Sequence, residues 1–488
     1  MKYLTLVNVS KGFADGLMPL GLLSISAYIK KNDPEIEIKL LDSNCQDLYE
    51  NFETPDVIGI SAVTQDIGRA IHFAEFIRSK NTTPIILGGV HISTYLKLPK
   101  QFDVGVIGEG EQTMLELIQL EDFSHKNLKN IKGICYNNNN NSDRTIFTDP
   151  RDLITNLDDI PIVDRDLTNI SYYSQPRQII PYHFGRSFTM ISSRGCPFNC
   201  VFCSTKIHWK KFRAFSAKRV IEEIELLINR YNAEIIHIFD DLFIADKRRL
   251  KEIHRYIVEK KINEKVKFMC LVRSDMIDDE IMKLLKEMNV VVIGIGMESG
   301  SESMLAYLKR KTTTIENNIH AIELSNKYKI PTMGSFMVGN PNETEEELLE
   351  TLNFIKSYRN SPFLCPLTYI STAFPGTEFW NFALEKGIPV ENFDKIVMDI
   401  PHNINDLKDA PLLTRIPLDR FFEIICKFDK ETQYGMLKRN TFFPKNAYSI
   451  VKAYREGAII EKNLFVGFIE VTKLLFMGMN YKINLFSK

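Results

Sequence analysis

SSRGCPFNCVFCSTK, residues 192–206, holds three of the chain's eight cysteines within eight positions, at Cys196, Cys200 and Cys203. The next cysteine is Cys270. In a reducing compartment, clustered thiols read as metal ligands ahead of disulfides. A closed metal site wants four protein ligands, and this loop brings three. Spacing leaves two readings open. In one, His208, five residues after Cys203, completes a Cys3His zinc site. In the other, three thiolates hold a [4Fe-4S] cluster whose fourth iron is open to a small molecule. The second is favoured, because structural zinc usually takes ligand pairs from two separated segments, whereas everything here lies on one loop after the strand-like SFTMISS (Ser187–Ser193).

Outward from that loop the chain alternates. Downstream, helix-like AKRVIEEIELLINRY, strand-like EIIHIFDD and their successors give six strands with intervening helices up to about residue 390. That rhythm fits a partial or complete β/α barrel over 186–390. Upstream, KYLTLVNV, EIKLLD, DVIGISAV, PIILGG and VGVIG alternate with helical patterns, which predicts a doubly wound parallel sheet over 1–135. Between them, 136–185 reads as a linker, with asparagines at Asn137–Asn141 marking an exposed turn or hairpin tip. Residues 391–488 read as a helical third unit. The fold class is therefore α/β: a Rossmann-like sheet domain, a barrel, then helices.

Composition narrows the function classes. Over 488 residues, 44% are hydrophobic and 25% charged, as in ordinary globular proteins. The net charge of -1 argues against the broad basic surface that nonspecific nucleic-acid binding needs, and the local patch KIHWKKFR (206–213) is short. MKYLTLVNVS reads as a strand start rather than a secretory signal, so a cytoplasmic location is expected. Near the end, LFVGFIEVTKLLFMGMNY is apolar, but Glu470 and Lys473 interrupt it; a packed helix is expected ahead of a membrane-surface contact, and no span. Cys45, Cys135, Cys365 and Cys426 are isolated and read as small buried hydrophobes.

CPFNCVFC is a CxxxCxxC pattern with the aromatic Phe202 before its last cysteine, and it resembles the signature of the radical S-adenosylmethionine (SAM) superfamily. The resemblance implies that SAM fills the open iron site and is cleaved to a 5'-deoxyadenosyl radical. It also implies that Asp240 and Asp241 of IFDDLF hold the cofactor's amino group, although paired aspartates after a strand also cap helices. By the same resemblance Arg273 of LVRSD pairs with the cofactor carboxylate, Glu298 and Ser299 approach the ribose, and Val338 and Gly339 lie beside the adenine. Gly294, Gly296 and Gly300 nearly make a dinucleotide fingerprint, but the third glycine is one residue late.

MPLGLLSISAYI, DVIGISAVTQD, PIILGGVHIS and VIGEGEQTM together resemble the cobalamin-binding domain that precedes the barrel in the B12-dependent radical SAM class. There is no DxHxxG motif, and His91 of GGVHIS sits elsewhere, so a histidine-free, base-off cobalamin is implied. Its lower face is expected on the loop of Met18, Pro19, Leu20 and Gly21. The corrin and its tail are expected along Ser61, Thr64, Gly88, Gly89, Gly108, Glu109 and Gly110. The class implies a methyltransferase acting on an unactivated carbon, with methylcobalamin as donor. The alternative within the class is a rearrangement, ring contraction or cyclisation. A third reading, from another class, is a non-catalytic zinc-stabilised binding protein. Expected partners are a small-molecule substrate, such as a biosynthetic intermediate, and an external electron donor such as flavodoxin or ferredoxin.

Overall fold

The N-terminal strands are short aliphatic and β-branched runs, buried on both faces as a helix-covered parallel sheet demands. The computed structural model describes residues 2–10, 17–138, 141–180 and 183–439. Its first sheet contains β1 (Tyr3–Asn8), β2 (Glu37–Asp42), β3 (Val57–Ser61), β4 (Ile85–Gly88), β5 (Val104–Val106), β6 (Ile134–Asn138) and β7 (Asn141–Phe147). The spatial order is β2-β1-β3-β4-β5-β6-β7, with β1 to β5 parallel and β6 and β7 antiparallel. On one face, α1 (Leu20–Asn32) and α4 (Glu111–Gln119) share a core with Leu4, Leu6 and Ile86. On the other, α2 (Ile67–Lys80) and α3 (Val90–Tyr95) pack on Val7, Ile58 and Leu87. Strand order reverses between β1 and β3, which opens a crevice at the carboxyl ends of the strands.

A second sheet follows. After α5 (His125–Leu128) and α6 (Ile170–Tyr173) come β8 (Pro176–Ile180), β9 (His183–Met190) and the two-residue pair β10 (Ser193–Arg194) and β11 (Arg213–Ala214). The remaining strands are β12 (Ile235–Ile238), β13 (Lys267–Val272), β14 (Val290–Glu298), β15 (Thr332–Val338) and β16 (Leu364–Ile370). The order is β16-β15-β14-β13-β12-β9-β8, parallel except for β8. Strands β16 and β8 are the two free edges, so the barrel is partial.

Its outer helices are α7 (Thr205–Trp209), α8 (Ala217–Tyr231), α9 (Lys247–Glu259), α10 (Asp279–Glu287), α11 (Glu302–Leu308), α12 (Ile315–Tyr328), α13 (Glu345–Tyr358), α14 (Glu378–Glu385) and α15 (Leu418–Arg439). Their starts are written locally. Ser216, Asp246 and Asp278 each accept a backbone N–H at an N-cap, and Thr314 and Thr344 form capping boxes.

Two expectations change. The stretch 136–185 is not a plain linker: β6 and β7 extend the first sheet, the asparagine run falls at their hairpin, and β8 joins the second sheet. The physical reason is the edge of β5, which would otherwise present unpaired backbone groups. Nor do the described residues beyond 391 stand apart, since Phe421, Ile424, Ile425 and Phe428 of α15 belong to the barrel's own core. Among the described residues no helix is long and apolar enough to cross a membrane. The apolar stretch 464–481 lies outside the described residues.

The connecting segment is anchored by charge. Arg165 is fully buried, and its Nη2 donates to Glu223 Oε1 at 2.7 Å and to the Thr189 carbonyl at 2.9 Å. Glu223→Ala strands that guanidinium, which should cost about 3–5 kcal/mol. The check is a lowered denaturant midpoint, against Asp166→Ala at an exposed ion pair, which should leave the midpoint nearly unchanged.

Candidate active site between cluster loop and sheet crevice

The cysteine loop begins where β9 ends, and a buried carboxylate fixes its start. Asp240, 1% exposed, accepts four hydrogen bonds: from the backbone N–H of Ser192 (2.6 Å) and Ser193 (3.0 Å), and from both serine hydroxyls (2.6 Å each). Gly195 follows at φ +85°, where a Cβ would come 2.6 Å from the Lys211 carbonyl, so only glycine fits. The loop is then stapled to neighbouring elements. The N–H of Val201 donates to the Leu308 carbonyl at 3.1 Å, the N–H of Glu378 to the Val201 carbonyl at 3.1 Å, and Arg310 Nε to the Asn199 carbonyl at 2.7 Å.

Cys196, Cys200 and Cys203 are free, partly exposed thiols. Burial pushes the Cys196 thiol up to about 11 and raises Cys203 as well, so thiolates form there when metal displaces the proton. Among the described residues no three His, Cys, Asp or Glu side chains converge on one ion. That geometry contradicts the Cys3His zinc reading: His208 instead lines the sheet-domain cavity described below. Three thiols on one loop are the donors that would hold an iron-sulfur cluster.

Around the loop the expected SAM contacts separate. Asp241 is exposed at the rim, accepting from Thr205 Oγ1 at 3.0 Å and from the Gly195 backbone, with carboxylate surface left to meet an ammonium group. Asp240 is a correction, since its four hydrogen bonds commit it to the loop. Arg273 lies 3.6 Å over the Phe198 ring, with Nη1 3.4 Å from Cys200 Sγ. Asp275, Thr312 and Thr313 hold the rest of its guanidinium. Glu298, at φ +60°, pairs with Lys309 Nζ at 2.8 Å, and Lys309 stands 5.9 Å from the Phe202 ring centre. Ser299 departs from expectation: it is fully buried, with its hydroxyl 2.9 Å from Thr351 Oγ1. Val338 is buried too, and Gly339 lies against the Phe421 ring, where a Cβ would meet Cζ at 2.8 Å.

The sheet crevice is a cavity of about 230 Å³ under α1 and α4, open to solvent on one side. Gly21, Ser61, Gly88, Gly89, Gly108, Glu109 and Gly110 line it, beside apolar Leu6, Ile86, Val106 and Met114. Gly89, at φ +100°, has its Cβ position 2.5 Å from the Ala62 carbonyl, which keeps the backbone bare there. Met18, Pro19, Leu20 and Thr64, also expected at the cobalamin, are outside the lining of this cavity. Met18 is buried in the core, Pro19 and Leu20 start α1, and the Thr64 hydroxyl turns to His91 Nδ1 at 3.3 Å.

Sequence reasoning missed the wall contributed by the barrel half: Arg194, His208 and Trp209. Arg194 Nη1 reaches Glu109 Oε1 and Nη2 reaches Glu111 Oε1, both at 2.5 Å. Arg213 Nη1 bonds Glu109 Oε2 at 2.8 Å, and Ser24 Oγ donates to Glu111 at 2.6 Å. Burial works to raise the Glu111 carboxyl, but the Arg194 charge and the Arg194 and Ser24 hydrogen bonds overcome it and hold the group below its ordinary range. The one local signal was Arg194 itself, one residue before Gly195; its partners lie more than eighty residues away.

The Radical SAM superfamily model matches residues 190–355, and the B12 binding domain model matches 13–118. An uncharacterized methyltransferase of Pyrococcus horikoshii is 30% identical over 388 residues, covering 76% of this chain and 79% of the relative. The chain belongs to the cobalamin-dependent radical SAM enzymes. Two further relatives of this B12-dependent radical SAM enzyme are each 26% identical. One is the anaerobic magnesium-protoporphyrin IX monomethyl ester cyclase of Rubrivivax gelatinosus, covering 70% of this chain and 62% of the relative. The other is the bacteriochlorophyllide d C-8(2)-methyltransferase of Chlorobaculum tepidum, covering 77% and 79%. In fold it is similar to TsrM of Kitasatospora setae, with TM-score 0.65, 18% identity and coverage of 80% and 79% of the two chains. It is also similar to OxsB, with TM-score 0.61, 20% identity and coverage of 75% and 53%.

The cofactors of this enzyme are a [4Fe-4S] cluster, SAM and cobalamin. The residues present fit them: three thiols free of disulfides on one glycine-hinged loop, and a crevice that opens to solvent with bare glycine backbone along its rim. Arg194→Met should lower stability by about 3–5 kcal/mol, because Glu109 and Glu111 lose their shared counter-ion. The expected readings are a lower unfolding midpoint and cobalamin lost on gel filtration. Adding Glu111→Gln should restore most of the midpoint, because Glu109 keeps Arg213 as its counter-ion.

Proposed function

We propose that this enzyme methylates an unactivated carbon of a small-molecule substrate. The observation that carries the proposal is the shared wall: Arg194 lines the sheet crevice, and only Gly195 separates it from Cys196. The two cofactor sites are therefore neighbours, as a methyl transfer to a substrate held between them requires. When bound, the cluster and one SAM would supply one-electron cleavage of the sulfonium and hydrogen abstraction, and cobalamin would supply the methyl group that a second SAM, leaving as S-adenosylhomocysteine, restores to the reduced cobalamin. A small electron-transfer protein of the flavodoxin or ferredoxin class is the proposed reductant. The methyltransferase descriptions of two relatives support this reading.

The chain's own residues divide the work. Cys196, Cys200 and Cys203 hold the cluster. Asp241 receives the cofactor's ammonium group and the Arg273 guanidinium faces its carboxylate, while Lys309 and Glu298 set a paired charge beside Phe202. Ser61, Gly88, Gly89, Gly108 and Gly110 offer backbone and a hydroxyl to the cobalamin. Val63, Ile60 and Met114 make part of the crevice wall apolar, and His208 is the histidine that lines it; His91 is outside the lining, 1% exposed, and burial holds it down to about 4. The cyclase relative favours one alternative, a cyclisation or rearrangement without net methyl transfer.

Turnover with SAM carrying a trideuterated methyl group decides between them. Methyl transfer places all three deuterons in the product, whereas a rearrangement product contains none. The two aspartates give a second test. Asp241→Ala should weaken SAM binding at least about tenfold, roughly one charge-assisted hydrogen bond, with the unfolding midpoint unchanged. Asp240→Ala should lower the midpoint, because four donors of the loop lose their acceptor.

A further inference from the structure

Four buried polar atoms on β9 and β12 have no hydrogen-bond partner among the described residues: Ser187 Oγ, Thr189 Oγ1, and Nδ1 and Nε2 of His237. Their residues are 4%, 4% and 6% exposed. Register shows that they share a face, with Ser187 beside Ile235, Thr189 beside His237, and His237 beside Met269. The intervening residues Phe188, Met190, Ile236 and Ile238 belong to the core that the outer helices cover. Ile235, Met269 and Val292 instead form a separate cluster with Met333, made of strand residues alone. The face carrying His237 is therefore the inner face of the barrel.

The layers of that lumen can be followed along β12. Ile235 sits in the apolar plug, His237 lies one layer above it, and Phe239 one layer higher. The Phe239 ring meets the imidazole edge-on, centres 4.9 Å apart at 81°, yet the residue is 46% exposed. Asp241, at the mouth, is four positions beyond His237. An imidazole thus lies just beneath the reaction mouth under a half-exposed ring, with the Thr189 hydroxyl beside it and the Ser187 hydroxyl one layer lower, and no described residue bonds any of them. Unpaired buried polar atoms are costly, and native interiors keep few of them without a ligand or an ordered water.

The chemistry of the occupant follows from charge. Burial alone pushes the His237 imidazole down to about 4, with no charged neighbour contributing, so the ring is neutral. It offers one donor and one acceptor, and each hydroxyl offers both. A carboxylate would find no cation there, and an ammonium group no anion. We propose that His237, Thr189 and Ser187 form a lumen subsite that receives a neutral amide or hydroxyl group of the substrate. This deepens the reading of the barrel mouth as the reaction site and rests on it.

The test uses crystals of the full chain reconstituted anaerobically with its cofactors, soaked separately in acetamide and in sodium acetate at equal concentration. Acetamide is expected on the imidazole and the Thr189 hydroxyl, with acetate absent. His237→Gln, which keeps a donor and an acceptor, should retain acetamide; His237→Leu should lose it while holding a full iron and cobalamin complement. Should His237→Leu not fold, Thr189→Val with the wild-type histidine reads the same loss. Ordered waters that acetamide does not displace, acetate bound as well as acetamide, or acetamide persisting in both apolar variants would overturn the subsite. Because the readout is a bound probe, an unlabelled product in the deuterium experiment would sink methyl transfer and leave this result standing.

Discussion

Arg194 is nearly excluded from water between Glu109 and Glu111, and the arrangement of both halves follows from that ion cluster. Two arginines and two glutamates, with Ser24 and the Ile154 backbone adding hydrogen bonds, make a neutral buried knot. A buried charge is tolerated only when paired and hydrogen-bonded, so neither half can present its share of the knot to water or to apolar surface without penalty. The knot thereby sets how the sheet crevice faces the barrel. Trp209 rides on the same guanidinium, its ring centre 5.2 Å from it, and extends the crevice wall with a flat surface.

From the knot, one residue of glycine leads to the first cysteine. The left-handed turn at Gly195 converts the rigid β10 into the cluster loop, while Asp240 gathers the two preceding serines and ties the turn to β12. Positional precision at the cysteines thus comes from hydrogen bonds that precede them. The aspartate pair has divided labour: one carboxylate is spent on architecture so that its neighbour stands at the rim. This is how a buried network holds a functional group within the narrow tolerances that chemistry demands.

Much of this was legible from local pattern. The cysteine spacing, the strand and helix alternation, and the glycines of the crevice are short-range signals, because they express backbone periodicity or the needs of a single turn. What stayed hidden has long-range causes. The hairpin β6–β7 is asparagine-rich and reads as loop, but the unpaired edge of β5 recruits it. Met18 looks like a loop residue lying on a ligand, but a buried core takes it. Ser299 looks available, but Thr351 on a distant helix claims its hydroxyl.

By itself the sequence determined the domain order, the parallel sheets and the identity of the three thiols, since each rests on residues a few positions apart. Only the tertiary structure decided which aspartate is at the rim, which arginine walls the crevice, and that His237 faces the inside of the barrel rather than a helix. Those assignments turn on which partner a buried polar group finds. Burial makes that pairing obligatory, and folding brings the partners together from segments that the linear chain keeps apart.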